Sequence, residues 1–206
     1  MKKLATLLII IISKSVLLAQ NDKPNNNSII LPQPIDDSKF SFGLKGGFGH
    51  SFLIPYTNYA FMPSWNAGLS AIYSPFEHLG FGLDAIYSKE GVKLMDDENS
   101  YTYDLNYIRV PFKVIYFCNT YEKDFRPKIS IGPTIGFLTN TTENPKFNNF
   151  DFGANASLGF NYRLARAVWL NVDTTYYQGL IDINTTNFEN DLNGNLRLEL
   201  GLNFGF

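Results

Sequence analysis

The chain is poor in cysteine, in charge and in long apolar runs, and each shortage excludes a class of protein. Cys118 is the only cysteine among 206 residues, so no internal disulfide can form. Acidic residues outnumber basic ones, 19 to 17, which argues against nucleic acid as a partner because its binding needs a basic patch. No apolar run approaches the roughly 20 residues that a membrane-spanning helix needs. No cofactor motif is present, and we expect no cofactor.

The N-terminus has the parts of a secretory signal peptide. Lys2 and Lys3 form a charged start, an apolar core follows at 4–12, and small Ala19 offers a cleavage point. We predict a signal peptide at 1–19 with its exact cleavage site open. Residues 20–39 lack periodicity and are rich in asparagine and proline, so we predict a flexible periplasmic segment. Residues 40–206 are the predicted barrel domain.

From Phe40 onward, apolar residues alternate with polar or small ones, which is the period of two that β-strands have. Leucine, isoleucine, valine and aromatic residues occupy one face, and glycine, serine and asparagine are frequent on the other. No helical period of comparable length competes with this pattern. Eight such segments are present, beginning near residues 40, 65, 79, 108, 129, 152, 168 and 196.

The connections between these segments alternate in length. Long ones, at about 52–63, 90–101, 139–151 and 178–194, are separated by shorter ones at about 74–78, 118–126 and 163–166. Outer-membrane barrels have this asymmetry, with longer external loops and short periplasmic turns.

Alternation alone does not say which face points outward. A soluble lipocalin-type barrel alternates in the same way but hides its apolar face. We favour lipid on the apolar side, because small inward residues suit the narrow interior of eight strands. The predicted fold is all-β, an eight-stranded antiparallel up-and-down transmembrane β-barrel in the outer membrane of a Gram-negative bacterium.

The last strand ends in a pattern that resembles the insertion signal of outer-membrane barrels. Glu199 takes the polar place, Gly201 the glycine place, and Phe204 and Phe206 the aromatic places at the final alternate positions. The resemblance implies two partners, the outer-membrane lipid and the barrel-assembly machinery during insertion.

Five short segments resemble, in their order and spacing, the PorT-like outer-membrane β-barrel proteins. They are Gly43–Gly47, Tyr87–Gly91, Leu105–Pro111, Gly132–Pro133 and Asp151–Gly153. The resemblance implies an eight-stranded barrel in a family whose members mostly have no assigned activity. PorT itself belongs to the type IX secretion machinery. A secretion or transport accessory is therefore the alternative to a structural or interaction role, and an external or periplasmic protein partner remains open.

Seven charged residues fall on the polar face and form a predicted interior charge network. They are Lys45, Asp84, Arg109, Lys113, Asp173, Arg197 and Glu199. Unpaired charges inside a narrow barrel are strongly unfavourable, so we expect ion pairs between strands. Arg109 and Lys113 should face Asp84, and closure of the barrel should bring Arg197 and Glu199 beside Lys45. This pattern favours a lumen filled by side chains, with a proton or solute path as the alternative.

Three other features of the sequence are candidate sites. His50 and Ser51 adjoin, but neighbouring strand residues point to opposite faces, and His78 lies in a distant turn, so we predict no enzyme. The acidic run 96–98 lacks the ligand spacing of a calcium loop, and we expect no metal site. The segment Phe52–Met62 is unusually apolar, which favours either an interaction surface or a loop folded over the barrel mouth.

Overall fold

The computed structural model describes residues 39–54, 59–95, 100–141, 147–184 and 191–205. The predicted signal peptide, its cleavage after Ala19 and nearly all of the flexible segment lie outside these residues, as do the acidic run 96–98 and Phe206. Eight long strands run through the described part. They are β1 Phe40–Ile54, β2 Met62–Tyr73, β3 Leu79–Met95, β4 Ser100–Phe117, β5 Phe125–Thr141, β6 Phe150–Ala165, β7 Val168–Gly179 and β8 Leu192–Gly205.

The strands form one closed sheet. Each pairs antiparallel with the next along the chain, and β1 pairs with β8 from Ser41 and Gly205 at one end to Ile54 and Leu192 at the other. A two-residue strand, Tyr59–Ala60, adds a short pairing on β3. This confirms the predicted eight-stranded antiparallel barrel. Within the described ranges, no helix is long and apolar enough to cross a membrane.

The apolar rows point outward and the polar rows point into the lumen. Leu69 and Leu158 are 59% and 65% exposed on the outer wall, whereas inward Asp84 is 1% exposed. Aromatic pairs lie toward both ends of the wall, Trp65 with Tyr87 and, at the other end, Phe125 with Phe160. An apolar band between aromatic girdles is the surface that outer-membrane barrels present to lipid.

The strands extend further than predicted at one end. β3 and β4 occupy most of 90–101, which the sequence pattern assigns to a loop. Strands of 17 or 18 residues, tilted by about 45° with about 3.3 Å per residue, rise about 40 Å, more than the roughly 25 Å apolar band. The hairpin therefore projects beyond the band, and its outer face carries the ion pair of Lys89 with Asp104 at 3.2 Å. We call this end of the barrel the loop end.

The opposite end, which carries the turns 74–78, 118–124 and 166–167, is called the turn end. The long turn at 118–124 lies across it. The Tyr121 hydroxyl donates to the carbonyls of Ser74 and Phe76, and Arg163 donates to the Tyr121 carbonyl. Arg126 Nη2 donates to the Glu77 carbonyl at 2.8 Å. The turn at 118–124 is therefore bonded directly to the turn at 74–78, and through Arg163 to the strand that leads into the turn at 166–167.

An apolar cluster lies inside the barrel at each end. The loop-end cap consists of Leu53, Val92, Leu105, Tyr107 and Ile183, with Tyr103, Leu138 and Phe147 packed against it. The turn-end cap consists of Ile72, Ile115 and Phe117, and the Arg126 guanidinium stacks 4.0 Å from the centre of the Phe117 ring. Gly91 has a φ of +148° just before Val92. A Cβ there would lie 2.0 Å from the Tyr103 carbonyl oxygen, so this position requires glycine.

Candidate functional site: the charged lumen

Ten charged side chains fill the lumen between the two caps, in equal numbers of each sign. The basic ones are Lys45, Arg109, Lys113, Lys128 and Arg197, and the acidic ones are Asp84, Glu90, Asp151, Asp173 and Glu199. All are buried, and seven of the eight strands place them within reach of one another across the narrow interior. Buried Arg126 and Asp191, again one of each sign, lie toward the turn end and the loop end. The described lumen charges therefore balance.

The half nearer the turn end holds three ammonium groups and three carboxylates, which we call the lysine cluster. Lys45 Nζ donates to Asp84 Oδ2 at 3.1 Å and to Glu199 Oε2 at 2.7 Å. Lys113 Nζ donates to the same Asp84 oxygen at 2.6 Å. The third pair is separate, with Lys128 Nζ 3.0 Å from Asp173 Oδ2. The ion pairs of the cluster therefore join β1 with β3, β4 and β8, and join β5 with β7.

The half nearer the loop end is built around Arg109, in what we call the arginine cluster, with Arg197, Glu90 and Asp151. The Arg109 guanidinium donates to both Glu90 carboxylate oxygens, at 2.7 and 2.6 Å, and to Asp151 Oδ2 at 2.9 Å. Its central carbon also lies over the rings of Tyr107 and Tyr177, 4.4 and 4.1 Å from their centres. A planar fork suits this combination of bidentate pairing and stacking, which a lysine could not reproduce.

The wall beside Arg109 is shaped to admit the guanidinium. Gly136 lies opposite Arg109 in the β4–β5 ladder, and a Cβ at Gly136 would lie 2.8 Å from Arg109 Nη1. A side chain at that position would therefore require the guanidinium or the neighbouring wall to shift.

Arg197 connects the two clusters. Its Nη1 donates to Ser88 Oγ at 2.9 Å and to Glu90 Oε1 at 3.2 Å, and its Nε lies 3.6 Å from Glu199 Oε1. Glu199 in turn accepts from Lys45, from Asn66 and from Thr175. Arg109, Arg197, Lys45 and Lys113 therefore belong to one chain of ion pairs along the barrel axis.

The structure places all seven residues of the predicted charge network in the lumen. Lys113 lies beside Asp84, and Lys45 beside Glu199, as expected. The expected pairing of Arg109 with Asp84 is wrong, since Arg109 binds Glu90 and Asp151 instead. The register explains this difference: Arg109 lies opposite Ile86, nearer the loop end than Asp84. Arg197 likewise turns toward Glu90 rather than toward the ammonium group of Lys45, because like charges repel.

Three partners in the lumen were not predicted from the sequence, namely Lys128, Glu90 and Asp151. Lys128 and Asp151 lie one residue before the predicted starts of their strands near 129 and 152, and Glu90 lies at the start of the predicted connection at about 90–101. Each nevertheless points inward, because it lies two residues from an inward-facing residue of the same strand: Ser130, Ser88 and Gly153 respectively. Continuing the alternation by two residues would have found all three.

Four of the five segments Gly43–Gly47, Tyr87–Gly91, Leu105–Pro111, Gly132–Pro133 and Asp151–Gly153 supply charged residues to these clusters. Tyr87–Gly91 contains Glu90, Leu105–Pro111 contains Arg109, and Asp151–Gly153 begins with Asp151, so three of them build the arginine cluster. Gly43–Gly47 supplies Lys45 to the lysine cluster. These four segments therefore meet in the interior of the barrel.

The residues of the predicted C-terminal signal lie in different environments. Glu199 and Gly201 are buried, Phe204 is half-buried at the turn end of β8, and Phe206 lies outside the described residues. Their role in insertion stays a prediction.

His50 and Ser51 point to opposite faces of β1. Ser51 Oγ donates to the Gly91 carbonyl at 2.8 Å inside the barrel, whereas His50 Nδ1 accepts from the Met62 backbone N–H at 3.1 Å. His78 lies at the turn end, with Nδ1 2.7 Å from the Phe117 carbonyl. Within the described ranges, no group of three or more His, Cys, Asp and Glu side chains is arranged to hold a metal ion.

The two ends of the apolar segment at 52–62 lie in different places, and its role as an interaction surface stays a prediction. Leu53 is buried in the loop-end cap, so this part folds into the barrel mouth. Phe61 is exposed on the outside and stacks on His50 with ring centres 4.9 Å apart. Residues 55–58 lie outside the described part of the chain.

These features define a closed eight-stranded β-barrel with an apolar outer wall and an ion-paired lumen. Residues 18–185 match the family model for the outer membrane protein beta-barrel domain, and the chain belongs to that family. It is thus a small outer-membrane β-barrel protein. A search of curated proteins finds no match.

Solved structures with the same fold include two bacterial outer-membrane proteins. Neisserial surface protein A aligns with a TM-score of 0.56 and 17% identity, over 82% of this chain and 98% of that one. The outer membrane protein OprG from Pseudomonas aeruginosa aligns with a TM-score of 0.54 and 15% identity, over 82% and 97%. At these identities the similarity establishes the fold alone.

Proposed function

We propose that this protein is a closed outer-membrane barrel with a structural or interaction role and without pore or catalytic activity. The observation that carries the proposal is the lumen, in which ion pairs of balanced charge fill the space between two apolar caps. Porins have 16 to 18 strands and a water-filled channel, whereas the interior of an eight-stranded barrel is just wide enough to be filled by side chains.

Planar lipid bilayers containing the purified, folded protein test the closed lumen. We expect no stepwise currents of the size that a porin gives under the same conditions. A heat-dependent shift in gel mobility verifies that the sample is folded before the measurement. Open-channel currents comparable to those of the porin control would overturn the proposal, and proton flux into pH-buffered vesicles would support the alternative of a proton path.

The absence of catalysis is proposed on geometry. Ser51 and His50 lie on opposite faces and have separate hydrogen-bond partners, so neither can activate the other as a nucleophile and base must. Lipase and esterase assays on the folded protein should give the same rate as a Ser51→Ala variant. Turnover that disappears in that variant would contradict the proposal.

An accessory role in type IX secretion is the second candidate, favoured by the five segments that resemble PorT-like proteins. Four of those segments contribute buried lumen residues, so the resemblance extends to the barrel interior and gives no indication of a partner-binding surface. Deletion of the gene, followed by comparison of the secreted proteins with those of a complemented strain, separates the two candidates. Unchanged export would remove the secretion role.

We also infer the route by which the protein reaches its membrane. A signal peptide is cleaved near Ala19 in a Gram-negative bacterium, and the barrel-assembly machinery inserts the barrel using the signal at Glu199, Gly201, Phe204 and Phe206. The short turns then lie in the periplasm, and the lipid bilayer surrounds the apolar wall. The mass of the mature protein, isolated from outer membranes, tests the cleavage, and a mass that retains residues 1–19 would contradict it.

A further inference from the structure

The β-ladder of the barrel is interrupted near the middle of β4. Pairing of β3 with β4 passes from Leu83 and Phe112 directly to Ile86 and Arg109, and the skipped residues of β4 are Val110 and Pro111. Proline has no N–H to donate to a ladder, and every strand of a closed barrel is a central strand, where proline is unusual. The interruption therefore has a local cause in the sequence.

The outer wall recedes at this interruption. An open depression of about 390 Å³ lies there, lined almost entirely by carbon, with Phe42, Leu69, Leu83 and Val110 around two alanines. Ala71 lies between Phe42 and Leu83 in the ladder, and Ala85 lies opposite Leu69. Because each alanine is much smaller than its neighbours across the strands, the two form the floor of the depression.

We propose that this depression binds an acyl chain of an outer-membrane lipid. It opens on the same outward apolar rows that form the lipid-facing wall, so hydrocarbon is the medium in contact with it. A polar occupant would lose its hydrogen bonds against a carbon lining. In other proteins an apolar cavity of about 150 Å³ holds a benzene-sized hydrocarbon, so a depression of 390 Å³ has room for a longer one.

Close packing is the reason that an acyl chain should bind in the depression in preference to the rest of the outer wall. Lipid tails and apolar side chains are equally hydrophobic, so association within a bilayer depends on close contact rather than on exclusion of water. A chain seated between Phe42 and Leu83 touches wall on three sides, whereas a chain against a convex part of the barrel touches it on one. Each additional carbon contact contributes a small dispersion attraction, and these add up.

Photo-crosslinking of lipid to the purified full-length protein tests the proposal. The probe is a phosphatidylethanolamine with a diazirine in one acyl chain, present as a minor component of vesicles of phosphatidylethanolamine and phosphatidylglycerol. The reference residue is Leu158, which lies in mid-strand on the opposite wall. We expect about fivefold more crosslinks at Phe42, Leu69 and Leu83 than at Leu158. This ratio corresponds to roughly ten additional carbon contacts in the depression. Equal labelling of both walls would overturn the proposal.

Matched variants locate the effect. Ala85→Phe fills the depression and should reduce the excess to the level of Leu158, whereas Ala156→Phe, at an outward alanine of β6, should leave it unchanged. Ala71→Leu is a smaller change at the other floor position and replaces Ala85→Phe if that variant does not give the heat-dependent gel shift of a folded barrel. Crosslinks that persist in the filled variants would contradict binding of a lipid chain there.

Discussion

Arg109→Ala is the change that should harm this barrel most. The side chain is 1% exposed and makes three charge-assisted hydrogen bonds to Glu90 and Asp151. Its removal leaves two buried carboxylates without their main partner, although Glu90 keeps Arg197 at 3.2 Å and Asp151 keeps Asn193 at 2.8 Å. Breaking a buried ion pair in this way lowers the free energy of unfolding by about 3–5 kcal/mol.

Urea unfolding of the protein in lipid vesicles, followed by tryptophan fluorescence, measures this loss. The matched control is Lys89→Ala, because Lys89 forms an ion pair with Asp104 at 3.2 Å while remaining 36% exposed. An exposed pair of this kind contributes at most about 1 kcal/mol. Arg109→Lys should fall between the two, since an ammonium keeps the charge but cannot bind both Glu90 oxygens as a planar fork.

A double-mutant cycle with Glu90→Ala shows whether the loss comes from this pair. The two single changes should be non-additive by about 2 kcal/mol, within the range for residues that share one network. Should Arg109→Ala fail to insert, Glu90→Gln removes one charge with little change of shape and reports on the same contact. If Arg109→Ala were no more harmful than Lys89→Ala, the arginine cluster would not stabilise the barrel and the reasoning would fail.

Three further predictions concern the turn end, the outer wall and insertion. Tyr121→Phe removes the hydroxyl that donates to the carbonyls of Ser74 and Phe76, and should lower the free energy of unfolding by about 1–3 kcal/mol; a value indistinguishable from zero would show that the turns do not depend on this contact. Leu158→Arg places a charge on the outer wall in mid-strand and should destabilise the protein in vesicles by about 2–4 kcal/mol, whereas no effect would place this residue outside the apolar band. Deletion of Phe206 should lower the amount of heat-modifiable barrel in the outer membrane, and normal insertion without it would refute the signal at the C-terminus.

The eight strands were predictable because each barrel strand presents one face to lipid and the other to the lumen, which imposes a period of two on the residues in between. Their ends at the loop side were not. Beyond the apolar band the outward face no longer has to be apolar, as Lys89 and Asp104 show. The alternation of apolar and polar residues therefore weakens there, although the hydrogen-bonded hairpin continues.

The sequence predicts which charged residues of the site point inward, but it predicts only some of the ion pairs that they form. Lys113 and Asp84 lie on adjacent strands at nearly the same height, so their pairing follows from alternation and order alone. Arg109 reaches Glu90 and, across the lumen-facing wall of β5, Asp151 of β6. That choice depends on the register between strands and on the room left by Gly136, neither of which alternation specifies.

The closed lumen is tested most directly by the reactivity of a cysteine placed inside it. Ser130→Cys puts a thiol at a buried lumen position, where the serine hydroxyl lies 2.6 Å from that of Ser157, and native Cys118 is exposed at the turn end as an internal control. A charged, membrane-impermeant thiol reagent should modify Cys118 completely in folded protein while leaving the cysteine at position 130 unmodified until the barrel is unfolded in denaturant. Modification of both thiols at similar rates in the folded protein would show that water and solutes fill the lumen, which would contradict a barrel closed by paired charges.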